Sequence, residues 1–142
     1  MEKNLWIRTL LCMTVAVSPL TFAATTTAPV PPNSQQVFFV GNNWDGTVTV
    51  INPAKNYQKV GVINMVPDKK ERLTEIYLNP VKLIAYSYIR NTAGEGNDQL
   101  VDDMYSTPDG KSVVASRPSF ADVVSINIAT GKINWRTPVE GF

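Results

Sequence analysis

Five carboxylates, Glu95, Asp98, Asp102, Asp103 and Asp109, crowd one short stretch of chain. Hard oxygen donors at such close spacing are the kind of set that Ca²⁺ takes. The spacing matches neither the EF-hand loop nor the glycine-rich calcium repeats, so a solvated loop and strand end without metal is the expectation. Asp102 and Asp103 also form an adjacent acid pair, but neighbours in a strand point to opposite faces and do not easily share one substrate. The chain has no histidine, and Cys12 is its only cysteine. A Ser-His-Asp arrangement and a His-ligated zinc are thereby excluded from this segment. No catalytic residue, metal or cofactor is expected. Two residues remain as candidates for ligand contact. Trp44, in a loop after the first strand, offers a stacking surface. Arg117, between a strand end and Pro118, offers a charge to an anion, although plain solvent exposure is the stronger expectation for it.

The elements that would position these residues are mostly strands. Val37-Phe38-Phe39-Val40 is a β-branched and aromatic run, followed by Trp44-Asp45-Gly46 as a turn and Thr47-Val48-Thr49-Val50-Ile51 as a second strand. Strand, Asp-Gly turn and strand make a hairpin, and Lys59–Ile63 adds a third strand. The plan recurs downstream: the turn Pro108-Asp109-Gly110, the strands 112–116 and 123–127, the turn Ala129–Lys132 and a strand 133–136. The two meanders superpose without a gap at one constant offset, Val48 on Val123, Ile51 on Ile126 and Asn52 on Asn127. Short strands repeating at a fixed offset are the mark of a repeat architecture. A blade of about 40–45 residues leaves a surplus, which reads as an insertion of two helices at about 69–78 and 80–90. Asp68 with Glu71 opens the first in the manner of a capping box, and Asn79-Pro80 opens the second. Asp102–Ser106 is expected as the outer, fourth strand of the first meander, which leaves the second without its fourth.

Compartment is written at the N-terminus. Lys3 and Arg8 make a positive start, Leu10–Leu20 is apolar apart from Thr14 and Ser18, and Thr21-Phe22-Ala23 offers small residues for cleavage. This order reads as a secretory signal peptide over 1–23, and the apolar run is about half of what a membrane-spanning helix needs. Export to the periplasm or beyond is expected, with no stable membrane span after cleavage. Cys12 leaves with the leader, so the mature chain has no disulfide. Cleavage leaves eleven basic and eleven acidic side chains, with no basic cluster and hence no footprint for nucleic acid. Residues 24–36, rich in Thr and Pro, read as a linker.

Ser106-Thr107-Pro108-Asp109-Gly110-Lys111, Val123–Asn127 and Ala129-Thr130-Gly131-Lys132 together resemble the YVTN-type β-propeller repeat. The stretches Val101-Asp102-Asp103-Met104-Tyr105 and Ser116–Val124 resemble the YncE-like branch of that family. The resemblance implies an all-β incomplete β-propeller over 37–142. Its first blade would comprise about 37–66 plus 102–107, with a helical insertion at about 68–91 and a second blade at about 112–142. It also implies that Arg117 borders an axial cleft. Two blades do not close a propeller, so further blades or self-association are needed, and the chain is expected to be part of a longer propeller. The function expected is that of a binding module for a protein or small-molecule ligand. The alternative is the N-terminal piece of a quinoprotein-like or amine-dehydrogenase-like oxidoreductase, because Thr130-Gly131-Lys132-Ile133-Asn134-Trp135 is similar to the tryptophan-docking motif of quinoprotein propellers. Trp135 is then expected between blades, and the position matching it in the first meander is Val60. In a two-blade product, Val113, Val124, Ile126 and Trp135 are all expected to be partly exposed on an open side.

Overall fold

The computed structural model describes residues 34–139. The expected leader (1–23), most of the linker (24–33) and the last three residues lie outside the described residues. Within them, seven strands and two α-helices follow in the order β1 (Phe38–Asn42), β2 (Thr47–Asn52), β3 (Gln58–Asn64), α1 (Lys69–Tyr77), α2 (Pro80–Thr92), β4 (Met104–Ser106), β5 (Ser112–Arg117), β6 (Asp122–Asn127) and β7 (Ile133–Pro138). They build two antiparallel sheets, β1-β2-β3 and β4-β5-β6-β7. The molecule is therefore mostly β with a helical pair between the sheets in sequence, as expected.

One strand is in a different place from the one expected. β4 pairs with β5, Met104 opposite Ala115 and Ser106 opposite Val113. It opens the second sheet and does not complete the first. The turn Thr107–Gly110 explains this. Thr107 N–H donates to Ser112 O, and Gly110 with φ +67° reverses the chain within the turn, so β4 folds back onto the strand that follows it. The second sheet thus has four strands and the first has three.

The two hairpins β1/β2 and β5/β6 share one register. Phe38 lies opposite Ile51 and Asn42 opposite Thr47, while Val113 lies opposite Ile126 and Arg117 opposite Asp122, each partner moved by the same offset that relates the sequences. Both sheets bulge at the matching place, between Val50 and Ile51 and between Ser125 and Ile126. A bulge adds twist at that point. The third strands keep a different offset. Gly61 faces Val50 as Trp135 faces Ser125, so the counterpart of Trp135 is Gly61, not Val60. The link into β7 is one residue shorter than the link into β3.

Side chains alternate across a strand, and the burial follows. Val48 and Ile63 of the first sheet meet Val113, Ala115, Val124 and Ile126 of the second in one buried cluster, with Phe39, Val50, Met104 and Ile133 packed at its margin. Full burial of each such aliphatic side chain is worth about 1.5–3 kcal/mol. Val113, Val124 and Ile126 are thus buried, not on an open side, because their face is turned toward the first sheet. The opposite faces carry Phe38, Val40 and Val62 on the first sheet and Tyr105 and Trp135 on the second, all exposed. Trp135, 46% exposed, faces away from the neighbouring sheet of its own chain.

The helical pair closes one end of the sandwich. Asn79 caps α2, its side chain accepting from the backbone N–H of Val81 and Lys82, with Pro80 in the first turn. A capped, proline-started helix needs no help from its neighbours to define its beginning. Tyr86 and Ile89 of α2 and Ile76 of α1 pack on Val66, Leu100 and Phe120 as a second, smaller cluster.

Candidate functional site

The densest chemistry lies where the helical pair meets the β5–β6 turn. Arg117 ends β5 with no solvent exposure, and all of its guanidinium nitrogens donate. Nε and Nη2 donate to the two oxygens of Asp122 at 2.7 and 2.8 Å. Nη1 donates to Asp68 Oδ1 at 2.6 Å and to the carbonyl of Met65 at 3.1 Å, and Nη2 reaches Asp68 Oδ2 at 3.2 Å. The planar fork of arginine suits two carboxylates at once. The guanidinium also lies over the Phe120 ring, 5.1 Å from its centroid, within the range of a cation–π contact.

Two more arginines complete the cluster. Arg136 of β7 donates to Asp68 Oδ2 at 2.8 Å. Arg72 of α1 pairs with Glu75 and donates to the carbonyl of Phe120 at 2.9 Å. Its Nε lies 3.3 Å from Asp122 Oδ2 without hydrogen-bond geometry, so that contact is purely coulombic. Asp68 is the N-cap residue of α1 but makes no cap hydrogen bond. The capping box expected of Asp68 and Glu71 is absent because both Asp68 oxygens are turned to the two arginines. Burial pulls the Asp68 pKa upward, and the hydrogen bonds and charge of Arg117, followed by Arg136, outweigh it and hold the carboxyl below its ordinary value. For Arg117, burial acts to lower the pKa, and Asp122 and Asp68 more than reverse it. Charges withdrawn from water each cost several kcal/mol, and only near-ideal pairing offsets that. The cluster pins α1 to β5, β6 and β7.

Arg117 is accordingly not exposed and does not face a cleft; its donors are spent inside the molecule. Trp44 is exposed, 58%, in the turn between β1 and β2. Its neighbour Asn43 is fixed there, with the Leu100 N–H donating to its carbonyl and the Val101 N–H donating to its side chain. Trp44 belongs to the β1–β2 turn and Arg117 to the strand end before the β5–β6 turn; Gln99 bridges the two turns through Asn43 and Ser119, but Trp44 is exposed and Arg117 is buried, so they do not share one surface. Nor do the five clustered carboxylates gather. Asp98 accepts from Tyr86 Oη at 2.6 Å and from Arg90 at 3.1 Å. Asp109 accepts from Thr107 Oγ1 at 2.6 Å and from the Lys111 N–H in its own turn. Among the described residues no three acidic side chains converge as a metal site. Burial and then the bond to Asp98 push the Tyr86 hydroxyl up to about 12.

Beside the charge cluster runs an apolar groove of about 220 Å³, lined by Ile76, Tyr86 and Ile89 of the helices and by Phe120, Pro138 and Val139. Arg72 and Lys82 reach its rim, and Glu75 balances both. The groove suits a small uncharged aliphatic or aromatic group. The members of the charge cluster escape sequence reading because Asp68, Arg72, Arg117 and Arg136 are dispersed along the chain from the start of α1 to β7. One signal is available: Arg117 and Asp122 terminate the two strands of one hairpin and must face each other. Comparison with protein-family models, curated proteins and solved structures returned no match.

Proposed function

We propose that the chain is an exported, non-catalytic repeat module of the β-propeller type whose work is binding through its sheet faces. The observation that carries this reading is the pair of sheets of shared register that bury one face each and leave exposed apolar and aromatic side chains on the other, Phe38, Val40 and Val62 on the first and Tyr105 and Trp135 on the second. Exposed apolar surface of this kind marks an interaction site. The two sheets are then two copies of one unit, in keeping with the YVTN-like turns and strands of the sequence. The charged, apolar and small-residue order of residues 1–23 supports export, and the paired arginines and carboxylates support a structural cluster and not a reaction centre. The oxidoreductase alternative gains nothing from Trp135, whose counterpart is Gly61. Trp44 remains as a peripheral contact for a ligand.

Export and face contacts are tested together. A photo-crosslinking amino acid placed at Val62 or Trp135, in cells expressing the chain, is expected to give adducts of processed, exported protein. The same probe at Lys55, in the exposed link after β2, is expected to give none. Retention of Met1 on the product, or equal adducts at all three positions, overturns the reading.

A further inference from the structure

The register decides what fits on the two open faces. Phe38 and Ile51 of the first sheet occupy the positions of Val113 and Ile126 in the second. Yet Phe38 is exposed on the outer face, while Val113 and Ile126 are buried on the inner one. The reverse holds for Val48, buried between the sheets, and its counterpart Val123, on the outer face. The two sheets therefore stack front to back. The contact inside the chain joins one kind of face to the other kind and never like to like.

Each end of the stack consequently presents the half of that contact that the other end lacks. The outer face of the first sheet is of the kind the second sheet uses to bind the first. The outer face of the second sheet is of the kind the first uses in return. Neither face is charged in its central rows: Val40, Thr49 and Val62 on one, and Tyr105, Val114 and Trp135 on the other, where Ser125 is buried and accepts from Asn134. Association through them sets no like charges against each other and buries aromatic and β-branched surface.

Resting on the repeat-module reading, we infer that a second copy of this chain docks head to tail, the β4–β7 outer face of one copy on the β1–β3 outer face of the next. The contact is heterologous, and a heterologous contact continues into rings or chains of copies rather than stopping at a two-fold dimer.

Complementation of blocked faces tests this. One variant carries Val40→Lys and Val62→Lys, the other Tyr105→Lys and Trp135→Lys, all at exposed positions. Mass is read by light scattering on the chain as the expressing cell yields it. The unaltered chain is expected well above the monomer mass, each variant alone at the monomer mass, and an equal mixture at the dimer mass and no higher. A variant that still dimerises alone shows a like-to-like contact and overturns the inference. So does an unaltered chain that stays monomeric at high concentration. In that case, face adducts to some other protein would still uphold the binding-module reading, whereas their absence would sink both. Where a lysine variant fails to melt cooperatively, threonine at Val40 and Val62 replaces it, since threonine suits strands. Its association is expected to weaken several-fold, and an unchanged mass-concentration curve overturns the inference.

Discussion

Residues 42–47 and 117–122 are equivalent connections built with different chemistry. Each joins two strands of a hairpin in the same register, and each enters its second strand through a residue of positive φ, Gly46 at +72° and Ala121 at +50°. In the first, Asn42 closes the strand end with neutral bonds, donating to Thr47 Oγ1 at 2.9 Å and Thr49 Oγ1 at 3.0 Å. In the second, the same positions hold the buried ion pair of Arg117 and Asp122. What differs is the cover. The helical pair is seated on the second turn and shuts water out, while Trp44 beside the first stays exposed. A neutral amide suffices where water is near. Under the helices, the bare carboxylate of Asp68 at the start of α1 requires a cation, and Arg117 meets it.

The largest effect expected from this contrast comes from exchanging the matched residues for alanine. Arg117→Ala leaves Asp68 with Arg136 alone and Asp122 with only its coulombic contacts to Arg72 and Arg136, and should cost about 3–5 kcal/mol. Asn42→Ala, at the equivalent position, should cost about 1 kcal/mol. Denaturant unfolding of both variants checks this, and equal losses would break the contrast.

Face exchange gives the next effect. Ile126→Ala opens a cavity between the sheets and should cost about 2–5 kcal/mol. Ile51→Ala, its counterpart on the outer face, should cost well under half as much, again read by unfolding.

Acid should weaken the charge cluster at the second turn. Asp68 has a folded pKa below the unfolded value near 3.8. Its contribution is complete above that value and is lost as pH falls through the folded one. Melts from pH 5 to pH 2 should show a decline that is shallower in Asp68→Asn.

The smallest difference is expected at the positive-φ residues. A Cβ at Gly46 would approach Val66 Cγ2 to 2.6 Å, so Gly46→Ala should cost about 1–2 kcal/mol, from αL strain together with the clash. Ala121→Gly should lie within about 1 kcal/mol of neutral, because relief of αL strain is offset by greater freedom of the unfolded chain. Thermal melts distinguish them.

Much of the fold is legible in local sequence. The Asp-Gly and Thr-Gly turns, the alternating strands and the Asn79-Pro80 helix start are chemistry confined to a few neighbours, and they stand where expected. Sequence reading puts β4 in the wrong sheet because its three residues carry no mark of a partner; the tight Thr107–Gly110 turn decides it. It also leaves Arg117 in solvent, because burial of a cation depends on Asp68, far away in sequence and delivered by the inserted helices. The outward turn of Trp135 follows from the one-residue shorter link into β7, which shifts its alignment from Val60 to Gly61.

The two sheets stack front to back. Methyl-to-methyl NOEs measure it most directly. Those from Val48 and Ile63 should run to the set Val113, Ala115, Val124 and Ile126, and none should reach Val114 or Val123 within the same copy. NOEs from Val48 to Val114 and Val123 inside one molecule would place like faces together and contradict the account.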